Sequence, residues 1–192
     1  PDAAPPKDRW LTPDEVLMLM DGCQTLHVYA YIMLAIYTGQ RPNRVQNLKW
    51  FQVNFTTGLI DFTPNQPRNK KNGIVPMTRP LREMLEDMFK HKKTEYVLEW
   101  KGKHSGDTSG AIDRLVKNLG LKNVTPNTFR HTYATWAAMG GVDMLRLGRA
   151  IGHTNPATTT KTYVKYTPGF LRDVSDCVEE VLKKAEAERG VK

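Results

Sequence analysis

Arg41, Arg130, His153 and Tyr163 are the residues whose types and surroundings could act together on an anion, with Lys70, Lys71 and Asn127 as further candidates. In "TGQRPNRVQNLKW", Arg41 stands between Gly39, which can stop a helix, and Pro42, which can start one. An arginine in so tight a connection is held from both sides, and a fixed guanidinium suits a lasting anion contact. The same residue is equally an ordinary arginine at a helix start. In "TPNTFRHTYATWAAMGG", Asn127 and Arg130 lie three apart on a helical pattern and share a face. His131 is turned about 100° from Arg130 by the helical period. No second histidine stands at metal-ligand spacing, so no metal is expected. Alone, this segment reads as an amphipathic helix with incidental polar residues.

The stretch "IGHTNPATTTKTYVKYTP" places His153 just ahead of Asn155-Pro156, a helix-start pair. A histidine there can donate to an anion that the helix dipole also favours. Tyr163 follows about two turns into that helix, a position where a lone tyrosine is ordinarily core or interface. Lys70 and Lys71 sit near a hairpin turn, where lysines are usually only solvated.

These groups must be positioned by a chain of 192 residues, 40% hydrophobic, enough for one good core. Its net charge of +8 suits a polyanionic partner. Basic residues recur between Arg68 and Lys103 without an arginine-rich tail, so a nucleic-acid surface would be folded. No apolar run reaches membrane-spanning length, which predicts a soluble chain. Cys23 and Cys177 are isolated and predict reduced thiols in a cytosolic setting. Phosphate-binding glycine loops of the Walker and dinucleotide types are absent.

The elements follow from caps and periodicity. Thr12, Pro13 and Glu15 predict a capped helix start in "LTPDEVLMLM". "HVYAYIMLAIYTG" is apolar almost all round and predicts a buried helix stopped by Gly39, followed by a short helix from Pro42 to Leu48. "GLIDFTP" and "GIVPM" predict two strands joined through Asn72-Gly73. Thr78 is expected to cap the next helix, "EYVLEW" to form a third strand, and "KGKHSGDTSG" an exposed loop. Helices are expected over 109–119, 127–139, 142–151 and 156–163, with a last one from Pro168 to about Arg189. The fold class is mainly α with a small antiparallel β-sheet.

In order, "TG-x-R", a hairpin lysine before "VP", "FRHTYAT", and "GH" with a tyrosine ten residues on resemble the tyrosine recombinases, the integrases of phages and genomic islands. The likeness runs from "RWLTPDEV" to the terminal helix, and the specificity lies in the ordered set. "RPNRVQNLKW" and "KTYVKYTPGFL" are especially similar to integrases of proteobacterial phages and islands.

The resemblance implies the tyrosine recombinase catalytic-domain fold over residues 10–192, with residues 1–9 a flexible linker from a missing N-terminal DNA-binding region. It implies site-specific recombination through a 3′-phosphotyrosyl intermediate: Tyr163 is the nucleophile, Arg41, Arg130 and His153 hold the phosphate, and Lys70 (Lys71 the alternative) protonates the leaving oxygen. Asn127 stands where the family usually has histidine, and can donate to a phosphate oxygen but cannot carry a proton. Arg44 replaces the usual acidic residue and, beside Arg41, calls for an anion or carboxylate nearby. Arg44, Arg68, Lys71 and Arg79 are expected to contact DNA. No cofactor, metal or ATP is called for.

The implied partners are double-stranded attachment-site DNA, three further copies in a tetramer with residues 168–192 exchanged between protomers, and accessory DNA-bending or excision factors. The implied setting is the cytoplasm, on DNA, in a bacterial or phage-infected cell. A type IB topoisomerase and a DNA-binding relative that has lost catalysis are the alternatives.

Overall fold

The structure, a computed structural model, describes residues 9–64, 73–153 and 155–167. Thr12 opens α1 (Pro13–Asp21) as predicted: its hydroxyl accepts from Glu15 N at 3.2 Å, and the Glu15 carboxylate accepts from Thr12 N at 2.9 Å. This reciprocal cap satisfies two otherwise orphaned amides. α2 (Leu26–Thr38) is the buried centre of the chain, with Ala30, Tyr31, Ile32 and Leu34 fully enclosed. Covering each large side chain contributes about 1.5–3 kcal/mol before conformational entropy is counted.

Gly39 ends α2 in the left-handed conformation, φ 60°. A Cβ there would lie 2.3 Å from the Tyr133 ring, so backbone conformation and available space both exclude a side chain. α3 (Pro42–Gln46) is shorter than the predicted helix to Leu48. A 3-10 turn over Trp50–Gln52 then leads into β1 (Val53–Asn54), a strand too short for alternation to reveal.

β1 pairs antiparallel with β2 (Leu59–Asp61), and β2 with β3 (Ile74–Pro76), in the register Val53 to Ile60 to Val75. Those three side chains point to the core. The expected turn at Asn72 lies outside the described residues, as do Arg68, Lys70 and Lys71. α4 (Arg79–Lys90) begins after Thr78, but the threonine side chain makes no capping bond, contrary to expectation. Pro80 in the first turn needs no amide partner there, and Leu81, Leu85 and Met88 bury one face.

Of the expected strand "EYVLEW", only Glu99–Trp100 is strand (β4); Tyr96 forms an isolated bridge to Lys49, Val97 and Leu98 are buried, and β4 pairs with β5 (Lys103–His104) as a separate hairpin. Lys101 and Gly102 make its two-residue turn at φ 52° and 73°, so part of the predicted loop is strand. α5 (Ser109–Asn118), α6 (Pro126–Met139), α7 (Met144–Ile151) and α8 (Pro156–Tyr163) agree with expectation within two residues, and a 3-10 turn over Val164–Tyr166 follows. The predicted helix after Pro168 lies outside the described residues.

α6 crosses α2 through Phe129, whose ring meets Tyr31 edge-on at 6.2 Å. A second apolar cluster, Ala134, Ala138, Leu147, Ile151 and Tyr163, ties α6, α7 and α8 together. The ends of α2 and α7 therefore meet beside the buried face of α6.

Candidate active site

Helix ends build this site. The last carbonyls of a helix have no internal partner, and the dipole makes that end partly negative. Arg130, only 7% exposed, uses both facts: its Nη1 donates to Gly39 O at 2.8 Å, past the end of α2, and to Ile151 O at 2.6 Å, at the end of α7. Arg41, the cap of α3, donates through Nη2 to Gly152 O at 3.4 Å. Gln40 crosses the same seam, donating to Ala150 O at 2.8 Å.

Arg44 Nη1 donates to the neutral amide oxygen Gln40 Oε1 at 2.9 Å. Among the described residues no ion pair includes Arg41, Arg44 or Arg130. Burial, then the charge of Arg41, lowers the Arg130 pKa to about 10, and the same two causes lower that of Arg44. Both stay protonated at neutral pH, leaving concentrated positive charge that no carboxylate among the described residues matches.

On the other side, Gly152 ends α7 at φ 71° and His153 follows half-buried. Its Nδ1 lies 2.8 Å from Oγ1 of the fully buried Thr159. Gly148 makes that contact possible, because a Cβ at 148 would stand 2.8 Å from the same oxygen. Burial first, then Arg130, Arg41 and His131, pushes the His153 pKa down to about 4, so the ring is neutral at pH 7. Asn155 caps α8 as the sequence predicts, its Oδ1 accepting from Ala157 N at 2.9 Å.

Tyr163, at the end of α8, is 3% exposed, with its hydroxyl 2.9 Å from His131 Nδ1. Tyr163 acts electrostatically on Arg130, and its hydrogen-bond partner His131 acts on His153. Arg41, Arg130, His153 and Tyr163 thus converge. Asn127 is exposed on the first turn of α6, while Arg130 on the same nominal face is buried. Arg79 is exposed at the start of α4, 3.3 Å from Glu83. Tyr166 is half-buried against the second cluster.

His131 is the functional candidate that sequence reasoning missed. Its only signal was adjacency to Arg130, and its partner lies on another helix. No group of His, Cys, Asp or Glu among the described residues is arranged to hold a metal ion. The assembled chemistry is a buried phenol beside imidazoles and guanidinium groups, suited to attack on an anionic ester whose charge rises in the transition state.

Residues 9–168 match the model of the "Phage integrase family". The chain is 29% identical over 170 residues to a tyrosine recombinase XerA of Pyrococcus horikoshii, covering 85% of this chain and 59% of that one. It is 25% identical over 170 residues to the integrase of Escherichia phage 186, covering 85% and 46%. Among solved structures it is similar to a XerA recombinase crystal structure, with TM-score 0.70, 26% identity and coverage of 91% and 64%. The catalytic domain of bacteriophage HP1 integrase shares the fold, with TM-score 0.67, 20% identity and coverage of 88% and 94%. The chain spans about half the length of the curated relatives it matches.

Proposed function

The chain belongs to the phage integrase family, and on that premise we propose that it cuts and rejoins DNA strands in site-specific recombination of mobile DNA. One observation carries the reading: Arg41, Arg44 and Arg130 gather beside Tyr163 and His153, and among the described residues no carboxylate pairs them. A phosphodiester supplies the missing charge. In the reaction Tyr163 Oη bonds to phosphorus and the bond from phosphorus to the 5′ oxygen breaks, with Lys70 or Lys71 protonating that oxygen. Arg130 and Arg41 stabilise the charge that builds on the phosphoryl oxygens. With His153 Nδ1 taken up by Thr159, Nε2 is the nitrogen left to donate to phosphate. The phosphotyrosine stores the bond energy until a 5′-hydroxyl of another strand attacks. Trapping of a covalent adduct on a nicked suicide substrate tests the cleavage, and joining of two different duplexes tests recombination against mere relaxation. A chain that binds DNA but never traps it would contradict the reading.

Binding is expected to run mainly through phosphates, with Arg44, Arg68, Lys71 and Arg79 contributing. Log affinity should then fall against log salt by about 0.9 per phosphate contact. Titrations on duplexes of unrelated sequence should give similar slopes; a flat dependence up to physiological salt would sink this view.

The working assembly is proposed to be a tetramer on DNA. Phe170, Val174, Cys177, Val178, Val181 and Leu182 form an apolar stripe at helical spacing, and this segment is proposed to dock on a neighbouring protomer. An open apolar groove of about 680 Å³ between α1, β3 and α6, bordered by Leu17, Ile74 and Trp136, offers a surface of the right character. Removing residues 168–192 should spare single-site cleavage and weaken synapsis at least tenfold. Equal loss of both would mean that the segment only stabilises its own domain.

A further inference from the structure

We infer that His131 is the catalytic group that takes the proton from Tyr163 during attack. The inference rests on the strand-cleavage reading and deepens it. A phenol ordinarily titrates near ~10, so at neutral pH an attacking tyrosine must give its proton to something. The arginines nearby favour the phenolate but, being protonated, have no lone pair to accept with. His153 has Nδ1 committed to Thr159. Asn127 is exposed, and an amide does not carry a proton.

His131 has both the chemistry and the reach. Its Nδ1 lies 2.9 Å from Tyr163 Oη, a normal hydrogen-bond distance, with the rings tilted 45° and their centroids 6.2 Å apart. Being half-buried, the ring can exchange protons with solvent. The last turn of α8 is packed on α6 through Ala134, Ala138 and Tyr163, which holds the two side chains in register.

The balance of the step is simple. With its own proton on Nε2, His131 accepts the Tyr163 proton at Nδ1, and the O–H electron pair stays on Oη and forms the bond to phosphorus. The bond from phosphorus to the 5′ oxygen breaks, and that oxygen takes its proton from Lys70 or Lys71, as in the cleavage reading. When a 5′-hydroxyl attacks the phosphotyrosine, His131 returns the proton to Oη as it leaves. An imidazole suits both directions because its ordinary range straddles neutrality.

The test is single-turnover adduct formation on a nicked suicide substrate, comparing the unmodified chain with H131A, H131N and Y163F. Asparagine places an amide oxygen near the position of Nδ1, so it can orient the hydroxyl but not take its proton. Both H131A and H131N should slow adduct formation by about 10²–10⁴-fold, and added imidazole should restore part of the H131A rate. If H131A fails to fold, H131N decides alone. Either variant reacting within threefold of the unmodified chain would overturn the proton-transfer role. If the unmodified chain forms no adduct that Y163F lacks, the cleavage reading itself fails, and the inference with it.

Discussion

Arg130→Ala should lower adduct formation by about 10³-fold or more, because Arg130 is held where charge builds during attack. Losing one preorganised donor of this kind costs about 10²–10³ in rate, and losing a guanidinium clamp on a transferring phosphoryl group costs more. The substitution also takes from Gly39 O and Ile151 O the donor that joins the ends of α2 and α7. A buried carbonyl left without a partner costs about 1–3 kcal/mol, so the melting temperature should fall as well. Arg130→Lys separates the two effects. It keeps the charge, but one ammonium has neither the planar fork nor the reach for both carbonyls and a phosphate. It should recover much of the stability and little of the rate. Single-turnover cleavage with thermal melts of both variants checks this, and an alanine variant within tenfold of the unmodified rate would remove Arg130 from the reaction.

Tyr163→Phe should abolish the covalent adduct while leaving DNA affinity within about twofold. Tyr163 belongs to the apolar cluster with Leu147 and Ile151, and phenylalanine keeps that packing while removing only the attacking oxygen. The lost hydrogen bond to half-buried His131 costs about 1 kcal/mol, too little to unfold the domain. Tyr166→Phe is the control. Tyr166 sits in the 3-10 turn after α8 and packs beside the same cluster, so its hydroxyl should be dispensable for cleavage. Gel shifts and denaturing gels on one nicked substrate separate binding from attachment. An adduct that survives Tyr163→Phe and disappears with Tyr166→Phe would reverse the assignment.

Much of this was legible because local chemistry and tertiary demand agree. Thr12 with Glu15, Gly39 after an all-apolar run, and Asn155-Pro156 each mark a boundary by their own backbone requirements, and the helices fall where those signals stand. The strands were harder. β1 and β4 are two residues each, below any useful period, and the burial of Val97 and Leu98 in "EYVLEW" comes from packing rather than from sheet pairing. The arginines were legible as fixed groups, but their carbonyl partners were not, since Gly39 and Ile151 become ligands of Arg130 only when α2 and α7 end at the same place. The bond from Arg44 to Gln40 was likewise not legible, since Gln40 precedes the cap of α3 and meets Arg44 only through the turn between α2 and α3. The rotation of His131 from Arg130 on α6 gave no sign of a role, yet that rotation is what brings it to Tyr163 on α8.

The most direct test of the central claim is to find the atom that carries the DNA. The trapped adduct can be digested with nuclease and then with trypsin, and the peptides weighed. Lys161 and Lys165 let trypsin part the two tyrosines: Thr162–Lys165 contains Tyr163, and Tyr166–Arg172 contains Tyr166. The account predicts a phosphonucleotide on Thr162–Lys165 and none on Tyr166–Arg172. The nucleotide on Tyr166–Arg172, or no tyrosine-linked nucleotide from a DNA-bound and folded chain, would contradict it.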